Sequence, residues 1–123
     1  MTIPKRQTGD DRLPDAAAAG WRSYYELEDA GAIDAFVGRH PFLITLLEQA
    51  PSAIEEHFGE HRGLRLETFA DPDDEGAEHL YLFVQTERPF GEAYERQRRL
   101  EEGWWLDAML GARGALTVGI EHA

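Results

Sequence analysis

The segment from His57 to His61 contains the residue types that most directly suggest chemistry. Its sequence, His-Phe-Gly-Glu-His, matches the inverted zinc-peptidase pattern H-x-x-E-H. In that chemistry both histidines bind the metal from one helical face, and Glu60 acts as the general base. Gly59 stands where the preceding helix is expected to end, which works against this geometry. A small metal-dependent hydrolase that uses His57, Glu60 and His61 is therefore the alternative interpretation, beside solvated residues at a helix end.

An acidic run from Asp71 to Gly76 resembles the start of a calcium-binding EF-hand loop. An EF-hand needs flanking helices and an acidic ligand at its twelfth position. Here the twelfth position is Leu82, and the flanking segments have the alternating pattern of strands. The run is better explained as an acidic turn between two strands, and no bound cofactor or metal is expected.

Carboxylates also surround the tandem tryptophans Trp104 and Trp105. A carboxylate beside a tryptophan can act as an acid when an apolar environment raises its pKa. Of Glu101, Glu102 and Asp107, the last is nearest the expected tryptophan face and is the strongest candidate. On a surface helix, however, such residues are usually only solvated.

The overall charge favours some partners over others. The chain has 123 residues, enough for one domain, and a net charge of −12 from 24 acidic and 12 basic residues. This excess disfavours direct binding to nucleic-acid phosphates and favours a basic protein partner. There are no cysteines, which excludes disulfides and Cys-ligated zinc. No leader or membrane-spanning run is recognisable, so we expect a cytoplasmic protein that does not bind membranes.

The first half of the chain predicts an arm and helices. Residues 1–20 are expected to form a flexible N-terminal arm, followed by one domain over 21–123. The aromatic segment Trp21–Leu27 could be a short helix or a strand. Apolar spacing predicts a helix over 29–38 and another over 41–58, which Pro51 should kink or split.

The second half changes to the period of strands. Alternating residues predict strands over 63–70 and 79–86, joined as a hairpin, and a last strand from Leu116 to Ile120. A long helix over 89–112 should connect the second and third strands as a right-handed crossover, which makes those two strands parallel. Its apolar stripe, expected to be buried, runs Phe90, Ala93, Tyr94, Gln97, Leu100, Trp104, Ala108 and Gly111. The fold class is therefore α+β, in the order ααββαβ, with a three-stranded, mostly antiparallel sheet covered by helices. The first hairpin strand is expected to lie between the other two.

Several aromatic residues are candidates for partner binding. Phe69, Tyr81 and Phe83 should share one sheet face, which is too aromatic for an ordinary solvent surface. Helical spacing places Trp104 in the core with Leu100 and turns Trp105 about 100° away. Gly103 could allow a neighbouring element to approach the tryptophans.

Four short segments resemble a family of small bacterial proteins with a Trp-Trp-Leu-Asp helix motif. They are the Pro-Phe-Leu helix start at 41–43, the strand and turn at 64–72, the strand at 82–86, and Trp-Trp-Leu-Asp at 104–107. The resemblance covers about two thirds of the chain. It implies an accessory or antitoxin-like role, with genes placed in toxin–antitoxin-like operons, and it implies no catalytic residues.

The sequence as a whole favours a non-enzymatic, acidic, protein-binding function. Its partner would be a basic protein or a second copy of the chain, in a homodimer. The residues expected to contact the partner are Phe69, Tyr81, Phe83, Trp105 and Asp107.

Overall fold

The computed structural model describes residues 20–70, 73 and 78–122. It begins with a 3-10 helix, Gly20–Tyr24, and a short strand β1, Glu26–Leu27, so the segment that could have been a helix or a strand contains both. Two helices follow, α1 (Ala30–Arg39) and α2 (Leu43–His57). The expected arm over 1–20, except Gly20, and most of the acidic turn over 71–76 lie outside the described residues.

Helix α1 has the signals that its sequence predicts. The Asp29 side chain caps it by accepting a hydrogen bond of 3.2 Å from the amide of Ala32. Ile33, Phe36 and Val37 form its buried stripe. The helix ends at His40, because Pro41 disfavours helical geometry in the residue before it.

Helix α2 continues through Pro51 instead of splitting there. Proline has no amide hydrogen, so the carbonyl of Leu47, four residues earlier, lacks its usual helical donor. The hydroxyl of Tyr25 donates to that carbonyl at 2.7 Å. This buried hydrogen bond satisfies the group that the proline leaves free, and it ties the segment before α1 to the middle of α2.

The sheet has four strands, in the order β1-β2-β3-β4. β2 (Gly63–Phe69) and β3 (His79–Thr86) form the expected antiparallel hairpin, and β4 (Leu116–His122) lies parallel to β3. The prediction that residues 63–70 lie between the other two strands is wrong, because β3 is flanked directly by β2 and β4. The predicted three-stranded, mostly antiparallel sheet is also wrong, since β1 adds a fourth strand in parallel to β2 and only the pair β2–β3 is antiparallel among the described strands.

The reason for this order lies in the residues of β3. Its inward side chains Leu80, Leu82 and Val84 are fully buried, whereas β2 alternates its leucines with Arg65 and Glu67. The most apolar strand gains most from neighbours on both sides and takes the inner position. β1 is too short to be recognised from alternation, and its pairing depends on β2 being present.

The long helix predicted over 89–112 is three consecutive segments. They are α3 (Phe90–Leu100), a π-helical turn (Glu101–Trp105) and α4 (Leu106–Ala112). Gly103 lies in the π turn against His57 of α2, where a Cβ atom would stand 2.4 Å from the ring Nδ1. The close approach expected at Gly103 is therefore present, and it is made by α2.

The π turn reverses the expected roles of the two tryptophans. Trp105 is buried in the core, with 5% exposed, and Trp104 is only partly buried. The buried residues follow Ala93, Leu100, Trp105 and Ala112. The five-residue step from Leu100 to Trp105 is that of a π turn, which shifts the buried stripe by one residue. Regular α-helical counting selected Trp104 for this reason.

Candidate functional site

One face of the sheet carries no described helix. The core takes the even-numbered side chains of β2, β3 and β4 together with the buried residues of all the helices. The odd-numbered side chains of these strands point to the opposite side and are partly exposed. We call this surface the open sheet face, consisting of Arg65, Glu67, Phe69, His79, Tyr81, Phe83, Gln85, Thr117, Gly119 and Glu121.

Three aromatic rings form a contiguous group on the open sheet face, as the sequence predicted. Phe69 meets Tyr81 edge to face at 5.0 Å between ring centroids, and Tyr81 stacks on Phe83 at 5.6 Å. Phe69 is 43% exposed even so. The rings therefore order one another while leaving apolar area accessible to a partner.

Arg65 is the central cation of this face, and three carboxylates surround it. Its guanidinium donates twice to Glu121, at 2.9 and 2.7 Å, and also to Glu67 and Glu28. It reaches Glu121 by crossing β3, and its Cζ lies 4.7 Å from the ring centroid of Phe83. The guanidinium thus combines a bidentate ion pair with a cation–π contact.

The ion pair changes the acid–base properties of both partners. Hydrogen bonds from Arg65 and Gln85 hold the pKa of Glu121 below its ordinary value of 4.5, against a smaller opposing effect of burial. Hydrogen bonds to Glu121 and Glu67 raise the pKa of the Arg65 guanidinium. Both groups are therefore charged at neutral pH, and three carboxylates against one cation leave the border of the aromatic group negative.

His79 completes the open sheet face at the start of β3. Its ring lies 5.2 Å from that of Tyr81, and its Nε2 hydrogen-bonds the hydroxyl of Thr117 on β4. Burial lowers the pKa of His79, which favours the neutral ring. The histidine adds apolar and hydrogen-bonding surface to the aromatic group without adding positive charge at neutral pH.

The two other residues predicted to contact a partner lie elsewhere. Trp105 belongs to the core between the helices and the sheet, so a partner could reach it only if the domain opened. Asp107 is exposed on α4, in the helical layer on the opposite side of the sheet from Phe69. The structure therefore brings together Phe69, Tyr81 and Phe83 only.

The H-x-x-E-H segment does not have the geometry of a metal site. Helix α2 ends at His57, and Gly59 has a φ of 92°, so the two histidines are not on consecutive turns of one helix. Arg96 of α3 donates to the carbonyl of Phe58 at 2.7 Å, which caps the end of α2. Within residues 20–70, 73 and 78–122, no three His, Cys, Asp or Glu side chains are grouped to hold a metal ion.

A second apolar feature lies on the helical side of the sheet, beside β4. It is a groove of about 610 Å³ that we call the α3–β4 groove. Its lining includes Phe90, Ala93, Tyr94 and Gln97 of α3 with Ile120 and His122 of β4. Phe90 is 70% exposed and Tyr94 is 55% exposed, although both belong to the helical stripe that was expected to be buried. The buried face of α3 is marked by Ala93 and Leu100, which lie seven residues, or about two helical turns, apart.

Comparisons with other proteins do not identify a function for this chain. No protein-family model, curated protein or solved structure matches the chain. The resemblance to small bacterial proteins with a Trp-Trp-Leu-Asp motif accordingly stays a prediction. Among the described residues, no helix is long and apolar enough to cross a membrane.

Proposed function

We propose that this protein is a non-enzymatic binding protein that recognises a basic polypeptide through the open sheet face. The observation that carries the proposal is the partly exposed ring group of Phe69, Tyr81 and Phe83, bordered by carboxylates. Contiguous apolar surface rimmed by charge is typical of protein–protein interfaces. The acidic rim selects partners of opposite charge and disfavours nucleic acids.

The contacts of Arg65 are an internal example of the recognition that we propose. This guanidinium already lies over Phe83 while it pairs with Glu121. Beside it, Phe69 and Tyr81 offer exposed ring edges and faces, and Glu67 lies on the neighbouring strand position. An arginine from a partner could stack on these rings and pair with a carboxylate in the same way.

An antitoxin-like or accessory role agrees with this chemistry. The resemblance described above implies such a role, and an acidic protein that covers a basic partner would perform it by binding alone. The proposal requires no catalytic group, and it uses only the part of the chain that forms the open sheet face.

Synthetic peptides of about 12 residues test the proposal. An Arg-rich peptide with interspersed leucines is compared with versions in which lysine or glutamate replaces arginine, using fluorescence anisotropy. We expect affinity to fall from the Arg to the Lys peptide, and no binding of the Glu peptide. Peptide-induced amide shifts in NMR spectra should fall on β2 and β3. Equal binding of the Arg and Glu peptides would refute the proposal.

A matched pair of variants separates the rings from general surface stickiness. Phe69→Ser removes an exposed aromatic residue from the open sheet face, and Met109→Ser removes an apolar residue of the same 43% exposure from α4. Neither substitution changes the charge. We expect Phe69→Ser to weaken Arg-peptide binding about tenfold, as for an interface anchor, and Met109→Ser to leave it unchanged. Equal effects of the two variants would exclude the open sheet face as the site.

A further inference from the structure

The outer edge of β4 is open among the described strands. In the sheet that the structure describes, β4 is the last strand in the order β1-β2-β3-β4 and pairs with β3 alone. The amide of Leu80 donates to the carbonyl of Ala115, and this bond determines which residues of β4 hydrogen-bond to β3. The odd-numbered residues of β4 therefore bond to β3, and Leu116, Val118, Ile120 and His122 direct their backbone groups outward. A seven-residue edge of this kind is a template for another strand.

The α3–β4 groove runs beside this edge and differs in charge from the rest of the protein. None of its lining residues is acidic, although the chain contains 24 acidic residues. Glu92, on α3 beside the groove residue Ala93, is paired with Arg88 at 2.5 Å and with Arg96 at 3.5 Å. A basic partner gains no ion pair in the groove, and a second acidic copy meets no local repulsion there.

We infer that β4 and the α3–β4 groove form a homodimer interface, in which two copies pair their β4 strands antiparallel around a twofold axis. An axis at Gly119, the middle residue of β4, uses the whole strand. Val118 then faces Ile120 of the second copy on the helical side, and Glu121 faces Thr117 on the open side. No like charges oppose each other in this register.

Gly119 and helix α3 are both compatible with a twofold axis at Gly119. Gly119 would face its own copy at the point of closest approach, and the space around it is free of other atoms within 4 Å of a Cβ position. The twofold axis stands perpendicular to the sheet, so the two α3 helices run antiparallel on one side. Helix α3 carries Glu92 and Glu95 in its first half and Arg98 and Arg99 in its second, so the antiparallel arrangement does not set like charges against each other.

The dimer would join two sheets into one of eight strands. Phe90 and Tyr94 of each copy would lose exposure beside the new strand pair, which is the usual source of stability in a homodimer. The two open sheet faces would point the same way, side by side. The interface shares only Thr117, Gly119 and Glu121 of β4 with the open sheet face and leaves its aromatic rings on β2 and β3 outside the seam, so dimerisation and peptide binding can succeed or fail independently.

Light scattering on the full chain, over a concentration series from micromolar to millimolar, tests the inference. We expect a mass that approaches twice 13.9 kDa at the upper end. Tyr94→Glu should weaken dimerisation about tenfold or more. Tyr24→Glu is the matched control, because Tyr24 lies in the N-terminal 3-10 helix with 54% exposed, against 55% for Tyr94. A dimer weakened equally by both variants would overturn the inference.

Hydrogen exchange identifies what covers the edge. In a dimer, the amides of Val118 and Ile120 gain protection as the concentration rises, and Tyr94→Glu abolishes this gain. If the chain stays monomeric and these amides are protected at every concentration, the edge is covered by residues of the same chain, such as 1–19. That result would overturn the inference. A monomer with unprotected amides overturns it as well. Phe90→Glu provides a second groove variant, on a side chain 70% exposed, and we expect the same loss of dimer.

Discussion

A single hydroxyl compensates for the proline inside α2. Tyr25 is buried, which raises the pKa of its phenol, and its only acceptor among the described contacts is the carbonyl of Leu47. The compensation could not be read from the sequence, because a regular helical pattern shows that Pro51 removes a hydrogen bond but cannot show which side chain replaces it. Of the predicted kink or split at this residue, the split is wrong, because α2 runs from Leu43 to His57 without a break.

The pairing of Tyr25 with Pro51 predicts a double-mutant result. Tyr25→Phe should lower the free energy of unfolding by about 1–3 kcal/mol, since the buried carbonyl of Leu47 loses its donor. Pro51→Ala restores a backbone amide at position 51, so Tyr25→Phe should cost clearly less in that background. Urea denaturation measures both values. Tyr24→Phe, at an exposed neighbour, is the control and should change stability by less than about 0.5 kcal/mol. The same cost of Tyr25→Phe in both backgrounds would contradict the compensation.

The ion pair between Arg65 and Glu121 predicts how stability depends on pH. The pKa of Glu121 is lower in the folded protein than its ordinary value of 4.5, so the unfolded chain binds the proton more readily. The stabilising contribution is therefore fully present above pH 4.5 and is lost as the pH falls through the folded pKa. Glu121→Gln should reduce stability above that range and flatten its pH dependence below it. Denaturation over about pH 3 to about pH 7 measures this, with Glu95→Gln, on the exposed side of α3, as control. Identical pH profiles for both variants would contradict the role of the pair.

At the scale of elements, local patterns predicted most of the helices and strands but not how they meet. The hairpin, the parallel relation of β3 and β4, and the aromatic side of the sheet all follow from residue alternation and the helical connection. The order of strands and the two-residue β1 depend on long-range pairing, which alternation does not encode. The α3–β4 groove was missed because Phe90 and Tyr94 lie on the same apolar stripe as Ala93 and Leu100, and the stripe does not show which of its members a neighbouring element covers.

Because of the π turn, we expect Trp105 to contribute more to stability than Trp104. Regular helical spacing suggests the opposite. Trp105→Ala should cost about 3–5 kcal/mol of stability, because it empties a large buried volume between the helices and the sheet. Trp104→Ala removes a partly exposed ring and should cost no more than about 2 kcal/mol. Thermal and urea denaturation of the two variants measure the difference. A larger loss for Trp104→Ala would show that α3 and α4 form one regular helix in solution.

At the scale of the whole molecule, the net charge of −12 acts on the two proposed interfaces with opposite sign. The open sheet face attracts a basic peptide, whereas two copies that approach through β4 repel each other through their overall charge. Salt shortens the Debye length from about 10 Å at 0.1 M to about 3 Å at 1 M, which weakens both the attraction and the repulsion. The dimer relies on apolar contacts and strand pairing, which this screening leaves in place.

Sodium chloride should therefore weaken peptide binding and strengthen dimerisation in the same preparation. Between about 0.05 M and about 0.5 M salt, we expect the Kd of the Arg-rich peptide to rise about tenfold and the Kd of the dimer to fall several-fold. Anisotropy and light scattering measure the two constants under identical buffers. Phe69→Ser should raise the Kd of the peptide and leave the Kd of the dimer unchanged, while Tyr94→Glu should raise the Kd of the dimer and leave that of the peptide unchanged. If both constants rose with salt, the β4 interface would depend on ion pairs, and a neutral groove would not explain it.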